Sequence, residues 1–167
     1  MEVKALPYIR HLINVDIPNP GWHMYNPDTI PPGMMAYKKL KGIPIALDKI
    51  GIRNRSTIAH QVAKFIISFH QIPYEELDCI PEKNNDREDL MTLYYDTFNS
   101  LQRVLTTREQ DKMKKWWEEI FADNTFFSYK PVLCHGDFWY ENILVDEEHL
   151  NVTGIIDFSD MIIGDPA

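Results

Sequence analysis

The strongest constraint on this chain lies in residues 131–158, where three short apolar runs, PVLCH, NILVD and NVTGIIDF, are separated by a fixed order of polar residues. Short runs rich in Val, Ile and Leu, bounded by turn residues, read as strands. The runs ILV at 143–145 and VTGIID at 152–157 are joined by DEEHLN, a length that closes a hairpin. In a hairpin the residue before the first strand lies beside the residue ending the second, so Asn142 and Asp157 are expected to meet at its open end. An amide oxygen and a carboxylate are hard ligands suited to Mg²⁺, which takes a few protein oxygens and fills its other positions with water and substrate phosphates. Asp137 falls on the loop just before, close enough to act on whatever such a metal positions.

Upstream the pattern changes from strand to helix. Residues 2–13 place Val3, Leu6, Ile9 and Ile13 at helical spacing, with Pro7 required to sit early in the helix or to bend it. DIPNPGWHMYNPDTIPPG reads as loop with one short strand around 22–25, and MMAYKKLKG as a strand running into a turn at Gly42. A helix is expected over 56–70, opened by a Ser or Thr cap and carrying Ile58, Val62, Phe65, Ile66 and Phe69 on one face. Two more follow at about 87–105 and 107–122, the second opened by a Thr107 cap with Glu109 and Gln110 in its first turn.

With 167 residues, 44% hydrophobic and 12% aromatic, the chain can bury a substantial core. Its formal charge of -8 argues against a nucleic-acid surface, which needs clustered Lys and Arg, and suits a cationic partner better. Cys79 and Cys134 form no CxxC pair, so neither a disulfide framework nor a zinc site is indicated. The first residues carry charges throughout and no later apolar run approaches a membrane span. The expectation is a soluble cytoplasmic protein with no membrane partner.

An H-x-D followed after four residues by Asn, then a hairpin, then D-F, is the order of protein-kinase-type phosphotransferases. Here it reads His135, Gly136, Asp137, Asn142, and later Asp157, Phe158, Ser159, with Gly136 in place of the arginine of eukaryotic kinases. Together with G-D-P at 164–166, the segment CHGDFWYENILVD…GIIDFSDMIIGDPA closely resembles the aminoglycoside phosphotransferase family. MMAYKKLKGIPI is similar to that family's hinge strand, and IAHQVAKFIISFHQIP to its first large-lobe helix.

The resemblance implies an α+β, protein-kinase-like fold, mainly the helical C-terminal lobe with its catalytic hairpin and a hinge strand. It divides the chain into residues 1–37, a remnant of the nucleotide-binding lobe with the hinge strand, and 38–167, a partial catalytic lobe. It implies transfer of the γ-phosphoryl of ATP or GTP to a hydroxyl of a small molecule, an aminoglycoside antibiotic in the family's namesake. Asp137 would orient that hydroxyl and take its proton, Asn142 and Asp157 would hold Mg²⁺, and His135 and Asp165 would support the loop. Met35, Ala36 and Tyr37 would contact the adenine, and Asp160 and Glu141 the acceptor.

No G-x-G-x-x-G loop and no strand lysine precede the hinge, although Glu2 occupies a place consistent with the family's helix glutamate. The chain is therefore expected to be a middle piece of such an enzyme, inactive alone, with exposed apolar surface that favours self-association. Two other classes stay open: a non-catalytic remnant or binding module of the same fold, and a metal-dependent phosphohydrolase using His135, Asp137, Asn142 and Asp157 as ligands.

Overall fold

The computed structural model describes residues 1–28, 33–46, 48–82, 86–148 and 150–166. It divides into two compact units, Met1–Glu82 with Val132–Ala167, and Lys83–Pro131.

The first unit opens with helix α1 (Glu2–Ile9), which buries Ala5, Leu6 and Ile9 completely. It is shorter than the expected 2–13 because the backbone after Ile9 tightens into i→i+3 bonds, His11 N–H to the Tyr8 carbonyl and Leu12 N–H to that of Ile9. Strands β1 (Pro20–Tyr25) and β2 (Gly33–Tyr37) pair antiparallel as a two-stranded sheet. The two-residue strand β3 (Ile43–Pro44) follows a turn at Gly42, whose φ of 105° fits glycine. A Cβ there would run into the Thr153 hydroxyl and the Val145 carbonyl.

Helix α2 (Ile52–His70) begins a turn before the expected start at Ser56. Gly51, not Ser56, is its N-cap and makes no side-chain cap bond, so the burial of Ile58, Phe65 and Phe69 outweighs the local capping preference. The Gln61 amide accepts from Val152 N–H at 2.8 Å and donates to the Leu150 carbonyl at 3.1 Å, tying α2 to the chain ahead.

Strands β5 (Ile143–Val145) and β6 (Val152–Ile155) form the expected hairpin, and β3 joins the outer edge of β5 to give the order β3-β5-β6. Asp146 holds the turn, accepting from Leu150 N–H at 2.8 Å and from the Asn151 amide at 2.7 Å. The remaining pair, β4 (Val132–Cys134) with β7 (Ile162–Gly164), brackets the His135–Asp157 segment and carries the GDP motif back beside its start. The core of this unit gathers Leu6, Ile9, Phe65, Phe69, Leu133, Val145, Ile155, Phe158 and Met161.

The second unit holds α3 (Asp86–Leu101) and α4 (Thr107–Ala122). Helix α3 stops four residues short of the expected 105, and the Gln110 amide donates to the carbonyls of Gln102 and Leu105 just past its end. The cap of α4 is Thr106 rather than Thr107, with a full capping box to Glu109. Tyr94, Trp117 and Phe121 join the two helices, Tyr94 to Trp117 at 5.5 Å between ring centroids. Among the described residues no helix is long and apolar enough to cross a membrane.

Candidate active site

The site is built on the loop between β4 and β5 and the residues that leave β6. His135 is buried, with its Nε2 at 3.1 Å from the Ile156 carbonyl, so Nε2 carries the proton and Nδ1 is bare. That Nδ1 is buried and has no hydrogen-bond partner among the described residues. The ring packs on Phe158 at 4.5 Å and edge-on to Phe138 at 5.4 Å, and these phenylalanines continue the stack into Phe65 and Phe69 of α2. Burial lowers the His135 pKa below its ordinary value, against the opposing pull of the Ile156 carbonyl and the carboxylates of Asp137 and Asp157. A neutral, enclosed imidazole of this kind braces the loop.

Gly136 has φ 85°, and a Cβ on it would overlap the backbone carbonyl of Asp160. The two halves of the site therefore touch main chain to main chain at this point, which no side chain larger than hydrogen permits.

Asp137 and Asn142 are joined directly. The Asn142 amide donates to the Asp137 main-chain oxygen at 3.0 Å and to its Oδ2 at 3.2 Å. Trp139 N–H bonds the Asp137 carbonyl at 2.9 Å and Asn142 N–H the Trp139 carbonyl at 3.0 Å, which locks the loop into a tight coil. The Asp137 carboxylate is exposed, whereas Asn142 is buried. The hairpin ladder runs one residue past its strands, Ile156 N–H bonding the Asn142 carbonyl at 2.9 Å, so Asp157 leaves the sheet one residue beyond Asn142's partner.

Asp157 is the one non-glycine with positive φ among the described residues, at 64°. Aspartate tolerates this left-handed conformation better than most side chains, and such strain is concentrated at functional sites. Its carboxylate is exposed, with the Ser159 hydroxyl donating to Oδ1 at 3.0 Å. Glu2 comes to the same place: burial raises its pKa, the Asp157 carboxylate raises it further, and the Phe158 N–H opposes both. Burial also raises the Tyr37 pKa, followed by the nearby carboxylates of Glu2 and Asp157. The first helix, the end of β2 and the Asp157 turn thus converge.

The donor set fits Mg²⁺. The Asn142 amide nitrogen is spent on the Asp137 main-chain oxygen and Oδ2, which leaves its oxygen as the donor to a cation, and Asp157 presents a carboxylate from a turned-out backbone. Among the described residues no group of three or more His, Cys, Asp and Glu gathers to hold a metal. An ion here would draw on two protein oxygens and on its substrate's phosphates.

Of the other expected residues, Met35 is half-buried and Ala36 and Tyr37 are exposed on β2. Met35 lines a cavity of about 460 Å³ together with Glu2, Met24, Tyr25 and Met34. Glu141 is exposed on the short 3-10 turn Tyr140–Asn142, and Asp160 is exposed beside Gly136. At Asp165 it is the backbone carbonyl that accepts from Cys134 Sγ, at 3.1 Å, and joins the GDP motif to β4. Ser159 is visible in the sequence as the residue after D-F, but its bond to Asp157 is signalled only by the turn preference of a serine two residues after an aspartate, and nothing in the motif explains the backbone of Gly136.

A family model described as "Phosphotransferase enzyme family" matches residues 1–167. The fold is similar to the GDP complex of wild-type aminoglycoside 2'-phosphotransferase-IIIa, with a TM-score of 0.82 at 21% identity over 99% of this chain and 56% of that one. It is similar to the ternary complex of APH(2")-IIa with streptomycin and ATP, with a TM-score of 0.68 at 20% identity over 99% and 56%. A third is macrolide 2'-phosphotransferase MphH from Brachybacterium faecium, apoenzyme, with a TM-score of 0.66 at 16% identity over 99% and 54%. The chain spans little more than half the length of these relatives.

Proposed function

Because the chain belongs to the phosphotransferase enzyme family, we propose that it carries the phosphoryl-transfer centre of an enzyme that moves the γ-phosphoryl of ATP or GTP to a hydroxyl of a small cationic acceptor of the aminoglycoside type. The observation that carries this reading is the Asn142 amide fixed on the Asp137 carboxylate at 3.2 Å, at the end of a hairpin whose other strand leads into Asp157. In this reading residues 1–37 supply nucleotide-lobe and hinge elements, Met35, Ala36 and Tyr37 flanking the purine, and 38–167 the catalytic lobe.

Asp137 would accept the hydrogen bond of the acceptor hydroxyl, aim the oxygen at the phosphorus and take the proton as the new bond forms. The Asn142 amide keeps that carboxylate in one orientation, and its own oxygen with Asp157 would hold Mg²⁺. When bound, the ion neutralises charge on the nucleotide phosphates. His135 and the Phe158 ring maintain the spacing of the two strand ends. Asp160 and Glu141, with the chain's net charge of -8, suit an acceptor that carries ammonium groups. The nucleotide and aminoglycoside bound in the relatives support this choice of donor and acceptor.

The test is kinetic, on the natural protein that carries these residues. With kanamycin as acceptor and ATP or GTP as donor, Asp137→Asn should lower kcat by about 100-fold or more while nucleotide KM moves little. Normal turnover in that variant would overturn the reading. In residues 1–167 alone, calorimetry with Mg-nucleotide should give a binding heat that Asp157→Ala removes; a non-catalytic module would give none.

A further inference from the structure

A second concave site lies between the end of α1 and the segment that follows β2. Arg10, Lys38, Lys39 and Lys41 line a cavity of about 320 Å³ in which Asp16 is the one carboxylate. In a chain of net charge -8, this concentrates positive charge on one small concavity. Among the described residues none of these four cationic side chains makes an ion pair, hydrogen bond or ring contact.

The backbone that displays them is fixed. Thr153 Oγ donates to the Lys41 carbonyl at 2.8 Å, and the following Gly42 is held at φ 105° against Thr153 and Val145. On the other wall, Ile155 N–H bonds the Asp16 carbonyl at 2.9 Å, and Ile17 is buried in the core. At the α1 end the Arg10 N–H caps the Leu6 carbonyl at 3.0 Å, so the helix terminus is satisfied internally. Four cations share this cleft with the single carboxylate of Asp16, so a net positive charge is left over, and an anion that bridges the lysines and the arginine relieves their mutual repulsion. Each exposed contact is weak and screened by salt, so a useful ligand must engage several cations at once. That requirement selects two or more linked phosphoryl groups over a single carboxylate or phosphate, and the cavity has room for them.

We propose that this cleft is a binding site for a di- or triphosphate group, separate from the Asp137, Asn142 and Asp157 centre. The group can belong to free polyphosphate or to the tail of a nucleotide, and both present the same chemistry to the cleft. The site does not depend on the proposed activity, since none of its residues takes part in it.

The test is titration calorimetry of the chain at low ionic strength without divalent metal, so that the Asp157 centre contributes nothing through a metal. Inorganic pyrophosphate should bind with one-to-one stoichiometry, and more weakly as salt is raised. K38E/K41E should weaken it at least about tenfold, with a smaller loss in Lys38→Gln/Lys41→Gln, whose thermal melt verifies the fold. K112E/K115E, an equal change of charge on α4, should alter it by less than about threefold. ADP matching pyrophosphate while adenosine fails to bind would identify a free polyphosphate ligand. ADP binding at least tenfold tighter, again lost in K38E/K41E, would identify a nucleotide. Absence of pyrophosphate binding, or equal weakening by the α4 pair, would overturn the proposal.

Discussion

The segment that carries the candidate site, residues 132–166, and the helical pair α3 and α4 are held together by different physics. In the first, single atoms decide: a carbonyl against Gly136, an amide on Asp137, a hydroxyl on Asp157, a ring nitrogen on Ile156. In the second, matching faces decide, with Tyr94, Trp117 and Phe121 in mutual ring contact while Leu93, Tyr95 and Trp116 are each more than half exposed. Face-to-face packing accepts many substitutions of similar size, whereas a site built on backbone contacts has few solutions. Sensitivity to mutation should therefore be steep in one region and shallow in the other.

The sharpest contrast is expected at Gly136. Gly136→Ala combines a left-handed backbone with overlap of the Asp160 main chain, so the β4–β5 loop must move away from the turn after β6. A loss of at least about 3 kcal/mol of stability is expected, together with loss of Mg-nucleotide binding. Urea denaturation reads the first and calorimetry the second. Gly21→Ala, where a Cβ would come no closer than 4.0 Å to the Ala36 carbonyl, is the internal control and should stay within about 0.5 kcal/mol. If the two variants unfold at the same midpoint, the backbone contact has no special weight.

His135 gives an effect of intermediate size that depends on pH. Its folded pKa is depressed by burial below the ordinary 6.5, so the unfolded chain binds the proton more readily. The stabilising contribution of the neutral ring is complete above about pH 6.5 and is lost as the pH falls toward the folded value. His135→Gln, which retains a donor for the Ile156 carbonyl, should flatten this part of the stability profile. An unchanged acid slope in that variant would assign the loss to other groups.

These expectations follow from features of unequal visibility in the sequence. The hairpin and the order of Asp137, Asn142 and Asp157 were legible because strand spacing and loop length fix which residues reach the open end. Strands β3 and β7 were not, since runs of two and three residues become strands only by pairing with segments about 100 and 30 positions away in the chain. The left-handed backbone of Asp157 leaves no mark in composition, because aspartate occupies ordinary conformations elsewhere. The early start of α2 reflects burial of a long apolar face, which local capping preference at Ser56 does not foresee. At α4 the error was avoidable, since the Thr-x-x-Glu spacing points to Thr106 and not to its neighbour.

That capping box supplies the smallest effect and the clearest test of the shallow region. Thr106 Oγ donates to Glu109 Oε2 at 2.7 Å and accepts from Glu109 N–H at 3.4 Å, while Thr106 N–H reaches the same carboxylate at 2.8 Å. Thr106→Ala removes the hydroxyl and keeps the backbone bond, so a loss of about 1 kcal/mol is expected, well below that at Gly136. The Thr106 hydroxyl, and then its backbone N–H, lowers the Glu109 pKa below the ordinary 4.5. A depressed carboxyl stabilises the folded state above its unfolded pKa and loses that contribution as pH falls through the folded one. The difference between Thr106→Ala and the parent should therefore be constant above about pH 5 and shrink in stronger acid. Thr107→Ala, one residue into the helix, should change the urea midpoint little at any pH. A Thr107 effect as large as that of Thr106 would mean that the helix start is set by packing, and the two regions would then differ less than their contacts suggest.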